Sequence, residues 1–299
     1  MTRGFVTIAT GNNHFYRIAA ALLRSYRAFT ADPMPFALIC DRENEYSAKF
    51  DQTVILADPA FSYIDKLRLA ECVPFDETIF IDADSLAYRD LNDLWAVFEN
   101  APDFSALGQN YPADYQYAWF KREDVGEFSD RVKFIPDFIG GIYFLRRSPY
   151  LKEFSETCMY ILKHYKDFRF RQFSDPADEP IVALAMAVNG CGTVPDSSFP
   201  VCFYPHCMHF KADIGHGHLS YDSRYHKEYG MVSSGYLVHW GSGNTRRPVY
   251  LLEEYRLRRK QIGRPAGGLQ SAAMKMYFRI KYNGRRVIRK LRRIIGLKA

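Results

Sequence analysis

The sequence predicts an α/β fold built on a mixed, mostly parallel central sheet flanked by helices. Two observations carry that expectation. Strand-like and helix-like stretches alternate through the first 90 residues, and residues 35–40 form a continuous apolar run of the kind buried inside such a sheet. A composition of 47% hydrophobic and 25% charged residues fits an ordinary globular chain, and no internal repeat interrupts the rhythm.

Taken in order, residues 5–9 read as a β-rich opening strand, 16–29 as a helix, 35–40 as a buried strand and 54–56 as a short strand. Residues 64–73 read as a helix and 77–81 as a strand running into Asp82. Further helical stretches fall at 91–99, 150–165 and 179–188, and a strand at 141–145 is entered through Gly140-Gly141. Residues 200–235 are rich in His, Tyr, Gly and Ser without a clear period. They read as a long, partly irregular region near the site, because long loops in compact domains usually serve function. In open sheets of this class ligands bind at the carboxyl ends of strands, so chemistry is sought in the loops that follow them.

The charge is unevenly spread. Residues 251–299 carry 15 Lys and Arg against only Glu253 and Glu254, whereas the first 250 residues are mildly acidic. This divides the chain into a body, 1–250, and a basic helical C-terminal extension, 251–299, with a negatively charged partner of its own. Six cysteines are scattered without a CxxC pair, which points away from a zinc module or disulfide framework and toward a reducing compartment. The chain opens directly into a strand without the features of a signal peptide, and no apolar stretch approaches the roughly 18 residues of a membrane span. The expected location is cytoplasmic, peripheral on the cytoplasmic membrane.

The sharpest local pattern is Ile79-Phe80-Ile81-Asp82-Ala83-Asp84-Ser85-Leu86. An apolar strand ends in two carboxylates separated by one small residue, which lets the backbone approach a ligand. Both carboxylates then reach one hard cation that bridges to substrate phosphates. Taken alone, the pair reads equally well as turn formers after a strand.

Together with Lys66-Leu67 ahead of it, this pattern resembles the glycosyltransferases of the glycogenin and bacterial lipopolysaccharide galactosyltransferase type, family 8, where a Lys-Leu pair precedes Asp-Ala-Asp-Thr-Leu. The resemblance implies the GT-A fold for residues 1–250 and a catalytic domain there. Residues 5–10 resemble the family's opening strand and uridine-binding turn, with Tyr16 the aromatic that stacks on the base. Phe138-Ile139-Gly140-Gly141-Ile142 stands where the family has Phe-Asn-Ser-Gly-Val beside the donor sugar, and Ile139 removes a polar contact there. Asp178-Glu179 stands where the family has Asp-Gln. Each of these acids reads equally well as a helix N-terminal residue, but a carboxylate in place of the amide stabilises a cationic sugar more strongly.

Residues 237–248 resemble the family's His-x-x-Gly-x-x-Lys-Pro-Trp segment. The resemblance makes His239 the third ligand of the cation beside Asp82 and Asp84, and Arg246 or Arg247 the basic residue on the donor phosphate. It implies a UDP-hexose donor, Mn2+ or Mg2+ as the cation, and retention of configuration. Asp178 and Glu179 are then the catalytic candidates; Ile8, Thr10, Tyr16, Lys66, Ala83, Gly140, Gly141, Gly243 and Arg246 are the donor contacts. The acceptor is expected to be a glycan or glycolipid of a surface polysaccharide such as lipopolysaccharide or capsule.

His206, His209, His216 and His218 match no zinc spacing and read as acceptor-site or loop residues. Residues 274–298 interleave apolar and basic positions, interrupted at Asn283-Gly284. Their second half forms a basic amphipathic helix suited to an anionic membrane surface, with packing on the body as the alternative and nucleic acid the least favoured partner. Two other readings use the same residues: nucleotidyl transfer onto a sugar phosphate, for which Gly11-Asn12-Asn13-His14 is a poor phosphate loop, and a non-catalytic nucleotide-sugar or membrane-binding protein.

Overall fold

The structure, a computed structural model, describes residues 1–116, 119–223 and 230–294. In chain order its elements are β1 (Arg3–Ala9), α1 (Asn13–Phe29), β2 (Phe36–Cys40), β3 (Gln52–Ile55), α2 (Leu69–Cys72), β4 (Glu77–Ile81), β5 (Ser85–Ala87), α3 (Asp93–Val97), β6 (Phe104–Pro112) and β7 (Phe134–Arg146). Then follow α4 (Pro149–Lys163), α5 (Asp178–Asn189), β8 (Val201–Phe203), β9 (Cys207–Asp213), β10 (His218–Ser223), β11 (Met231–Val232), β12 (Leu237–His239), α6 (Pro248–Gln261) and α7 (Gly268–Ile294). The chain divides into two compact units. One comprises Met1–Leu23, Asp32–Ser85 and Leu91–Pro200; the other comprises Arg24–Ala31, Leu86–Asp90 and Val201–Ala299.

The first unit holds a six-stranded sheet in the order β3-β2-β1-β4-β7-β6. Four neighbouring strands, β3, β2, β1 and β4, are parallel, and β7 joins them antiparallel between β4 and β6. The inner strands β2 and β4 are buried at every residue, which explains why they read as unbroken apolar runs rather than alternating ones. Register also places charge. Arg3, Glu77 and Arg146 are paired side by side across β1, β4 and β7, so the nearly buried Glu77 carboxylate accepts from Arg3 at 2.6 Å and from Arg146 at 2.9 Å. Strand order reverses direction between β1 and β4, and the crevice at their carboxyl ends is where such sheets bind ligands.

Helix α5 is apolar nearly all round and buried along almost its whole length; it ends at Gly190, whose φ of +72° is the left-handed conformation that glycine adopts without a Cβ penalty. The helix expected over residues 64–73 is divided. A 3₁₀ turn, Tyr63–Arg68, leads into the single α-turn α2. Ser62 caps the 3₁₀ turn by accepting from the Ile64 N–H, and Pro74 holds Val73 extended, which stops the helix.

The second unit holds two three-stranded sheets, β11-β10-β9 and β5-β12-β8. Residues 200–235, expected to be partly irregular, therefore carry four of the short strands; residues 224–229 of that stretch lie outside the described residues. Trp240 is fully buried among Tyr204, Phe210 and Tyr250. The buried Glu253 of α6 accepts from the Tyr88 hydroxyl at 3.0 Å, the Ile214 N–H at 2.7 Å and Arg256 at 2.7 Å. Burial pushes its carboxyl up, against the opposing pull of Arg256 and the hydrogen bonds.

Helix α7 is continuous through Asn283 and Gly284, where an interruption was expected. A glycine in a helix interior costs only about 1 kcal/mol relative to alanine, too little to end a helix whose other residues favour it. Its first turn is tied to α6 by a hydrogen bond from Arg256 to Ser271, while Met276, Tyr277 and Ile280 are exposed. Residues 295–299 of the tail lie outside the described residues. Among the described residues, no helix is long and apolar enough to cross a membrane.

Candidate functional site

The carboxyl end of β4 positions the acidic pair. The Asp82 N–H donates to the Gly141 carbonyl at 2.9 Å, extending the ladder with β7 by one residue, and the Ser85 N–H closes a turn onto the Asp82 carbonyl at 3.1 Å. Ala83, between the acids, is buried, so the turn has room for a methyl and little more. Asp82 and Asp84 are both half-buried.

Lys66 is the hub of this end of the sheet. Its ammonium lies 2.5 Å from Asp178 Oδ2 and 3.2 Å from Asp82 Oδ2, and donates to the Gly140 carbonyl at 3.4 Å. The side chain is only 10% exposed. Burial lowers the ammonium's pKa, but the Asp178 and Asp82 carboxylates raise it by more, and it stands well above the usual lysine value. The Tyr143 hydroxyl, from β7, faces the same cluster; burial pushes it up, so it stays protonated.

Asp178 and Glu179 occupy the first turn of α5, where the helix dipole favours negative charge. Glu179 lies directly over Gly140: a Cβ built on that glycine would stand 2.5 Å from Glu179 Oε1 and 2.6 Å from its Cγ. Gly140 thus lets the acid approach the β7 backbone.

Beyond β1, Thr10 donates its hydroxyl to Asp65 at 2.9 Å, and Asp65 also accepts from the Ala60 N–H at 2.6 Å. The Gly11 N–H donates to Asp41 at 2.7 Å, and the Tyr16 hydroxyl donates to the same oxygen at 2.6 Å. Tyr16 is fully buried and the Arg42 guanidinium sits 5.2 Å over its ring, so it braces Asp41 rather than offering a face to a base. Ile8 packs against the hydrophobic core. The sequence pattern does not mark Asp41, Arg42 or Asp65, yet Asp41 directly follows a buried parallel strand, the same placement that marks Asp82.

In the second unit, His239 ends β12, buried, with its ring 5.1 Å from that of Phe203. Gly243 lies exposed in the 3₁₀ turn Ser242–Asn244 that follows. Both Arg246 and Arg247 are exposed, and Arg247 works to lower the pKa of the Tyr204 phenol, which burial raises. His209 faces Asp222 and His216 faces Asp213, at 3.6 and 3.4 Å. Asp82 and Asp84 belong to the first unit and His239 to the second.

No protein-family model matches the chain, and no curated protein does. Solved structures do. The galactosyltransferase LgtC, in complex with donor and acceptor sugar analogs, superposes with a TM-score of 0.54 at 13% identity, over 91% of this chain and 99% of its own. The fold is the GT-A fold. An active-site mutant of LgtC gives a TM-score of 0.49 at 12% identity over 80% of this chain and 87% of that one. The apo glycosyltransferase GlyE of Streptococcus pneumoniae TIGR4 gives 0.41 at 12% identity over 66% of this chain and 46% of its own. The mixed, mostly parallel sheet flanked by helices is thus the GT-A arrangement that the sequence motifs imply.

Proposed function

We propose that the chain is a metal-dependent hexosyltransferase that moves a sugar from a UDP-sugar to a glycan or glycolipid acceptor with retention. The observation that carries this reading is the acid pair Asp82 and Asp84 at the carboxyl end of β4 on a GT-A fold, with His239 the third ligand that the sequence motif implies. Two carboxylates and an imidazole suit Mn2+, with Mg2+ the alternative. A cation held there would neutralise charge on the departing diphosphate.

The chain's own residues supply the rest. Lys66 adds fixed positive charge at the end of β4, held by Asp178, and Arg246, exposed like its neighbour Arg247, is the arginine proposed to meet donor phosphate. Glu179, over Gly140, is the carboxylate that faces developing positive charge on the sugar. Thr10, Gly141, Ala83 and Gly243 line the donor site by backbone approach, while Ile8 and Tyr16 support it from beneath. LgtC's complex with donor and acceptor sugar analogs supports a nucleotide-sugar donor and a glycan acceptor here. Residues 1–250 form the catalytic body, and the basic residues of α7 place it on an anionic cytoplasmic membrane surface, where a lipopolysaccharide or capsule precursor would be presented.

The test is a panel of nucleotide sugars incubated with Mn2+ and scored for hydrolysis and transfer. Turnover of a UDP-hexose that stops on chelation is expected; binding of no nucleotide sugar in the presence of Mn2+ would rule the reading out.

A further inference from the structure

We infer that Phe61 is the platform on which the donor's nucleobase stacks, an inference that rests on the nucleotide-sugar reading and goes beyond it by naming a residue outside the motifs. Phe61 is 61% exposed, and its φ of +54° is a left-handed value that bulky residues rarely adopt. Asp58, three residues earlier, also has a positive φ, of +48°. Such conformations persist where the surroundings enforce them, and they concentrate at ligand sites.

The surroundings here are specific. The Ala60 N–H is held by Asp65, and Asp65 is held by Thr10, so the loop that carries Phe61 is clamped to the turn after β1. Its ring lies over Gly11: a Cβ on that glycine would meet the ring edge at 3.1 Å, and Gly11 itself has a φ of +74°. The Gly11 peptide is fixed from both sides, its N–H on Asp41 and its carbonyl accepting from Arg42 at 2.7 Å. An exposed aromatic face thus stands over Gly11 beyond the carboxyl end of β1, one of the two strands that bound the crevice where this class of sheet takes its ligand. The fully buried Tyr16 has no face to offer. A flat heteroaromatic ring is the group that an exposed aromatic platform takes up, with little demand on hydrogen-bond pattern.

The experiment titrates UDP, and separately inorganic pyrophosphate, each with Mn2+, into the wild-type chain, Phe61→Ala and Phe61→Tyr by calorimetry. Loss of stacking weakens UDP roughly tenfold or more in Phe61→Ala, whereas Phe61→Tyr stays within about twofold and pyrophosphate is unaffected in both. Phe61→Ala melts close to wild type, because the ring removed is exposed and alanine carries the same Cβ at the same backbone φ. Equal UDP affinity in Phe61→Ala overturns the inference while leaving the donor reading intact. A parallel loss of pyrophosphate overturns it too, since the loop would then act on the phosphates. Wild-type protein that binds neither ligand sinks both readings.

Discussion

Lys66 Nζ lies 2.5 Å from Asp178 Oδ2, so the acid that opens α5 is held by the same ammonium that contacts Asp82 at the end of β4. Because the folded pKa of Lys66 is raised, its stabilisation is complete below the ordinary lysine value and is lost only as pH climbs through the higher folded one. Neutral pH therefore leaves the cluster fully formed. Lys66→Met strands two carboxylates in a poorly hydrated site and is expected to cost about 3–5 kcal/mol in urea unfolding. Adding Asp178→Asn should recover part of that loss. A double variant no more stable than the single would assign the effect to packing of the lysine stem.

Asp84→Asn tests the cation. The amide keeps the shape of the turn and removes one negative charge, so thermal melting without metal should change little. Mn2+ affinity and turnover should both fall, turnover by about a hundredfold or more if charge on the leaving group is what the site stabilises. Wild-type turnover with unchanged Mn2+ dependence would remove Asp84 from the ligand set.

The acid pair was legible because it follows a fully buried strand, and β2 and β4 were legible because inner parallel strands carry no alternation to confuse them with helices. The strands between residues 200 and 235 were not. β8 and β11 are three and two residues long, shorter than any window in which a period can be seen, and β9 is only half-buried throughout most of its length. Tyr16 shows another limit. Its place near the donor turn is readable from sequence, but whether its ring faces a ligand or the core depends on Asp41 and Arg42, which arrive from the next strand.

Glu77 gives the acid limb of the stability profile. Burial works to raise its pKa, but hydrogen bonds from Arg146 and Arg3 outweigh this and hold it below the usual 4.5. A depressed carboxylate contributes stability that is present above that value and lost as pH falls through the folded pKa. Glu77→Gln should therefore be less stable than wild type at pH 7, with the gap narrowing below about pH 4.5. A gap that stays constant down to acid unfolding would mean the charge is irrelevant and only the shape is used.

The tail predicts a separable phenotype. Removing residues 274–299 takes away exposed apolar and basic positions of α7, so cosedimentation with vesicles containing anionic lipid should be lost, while turnover of a soluble acceptor is kept. Binding by the full chain should weaken as salt rises, since each basic residue near the surface contributes only about 1 kcal/mol and is screened. Equal sedimentation of the truncated and full chains would move the membrane contact elsewhere.

Gly140→Ala separates stability from chemistry at the sugar end. The new methyl would stand 2.5–2.6 Å from Glu179 Oε1 and Cγ, too close to keep, but the obstacle is a half-buried side chain rather than backbone. Glu179 can swing away, so the expected loss in unfolding free energy is small, about 1 kcal/mol. If Glu179 must lie over Gly140 to face the reacting sugar, kcat falls by about tenfold or more while the affinity for UDP, which depends on the phosphate end, is unchanged. Should kcat survive in a well-folded Gly140→Ala variant, Glu179 has no part in the reaction, and its carboxylate serves only the N-terminus of α5.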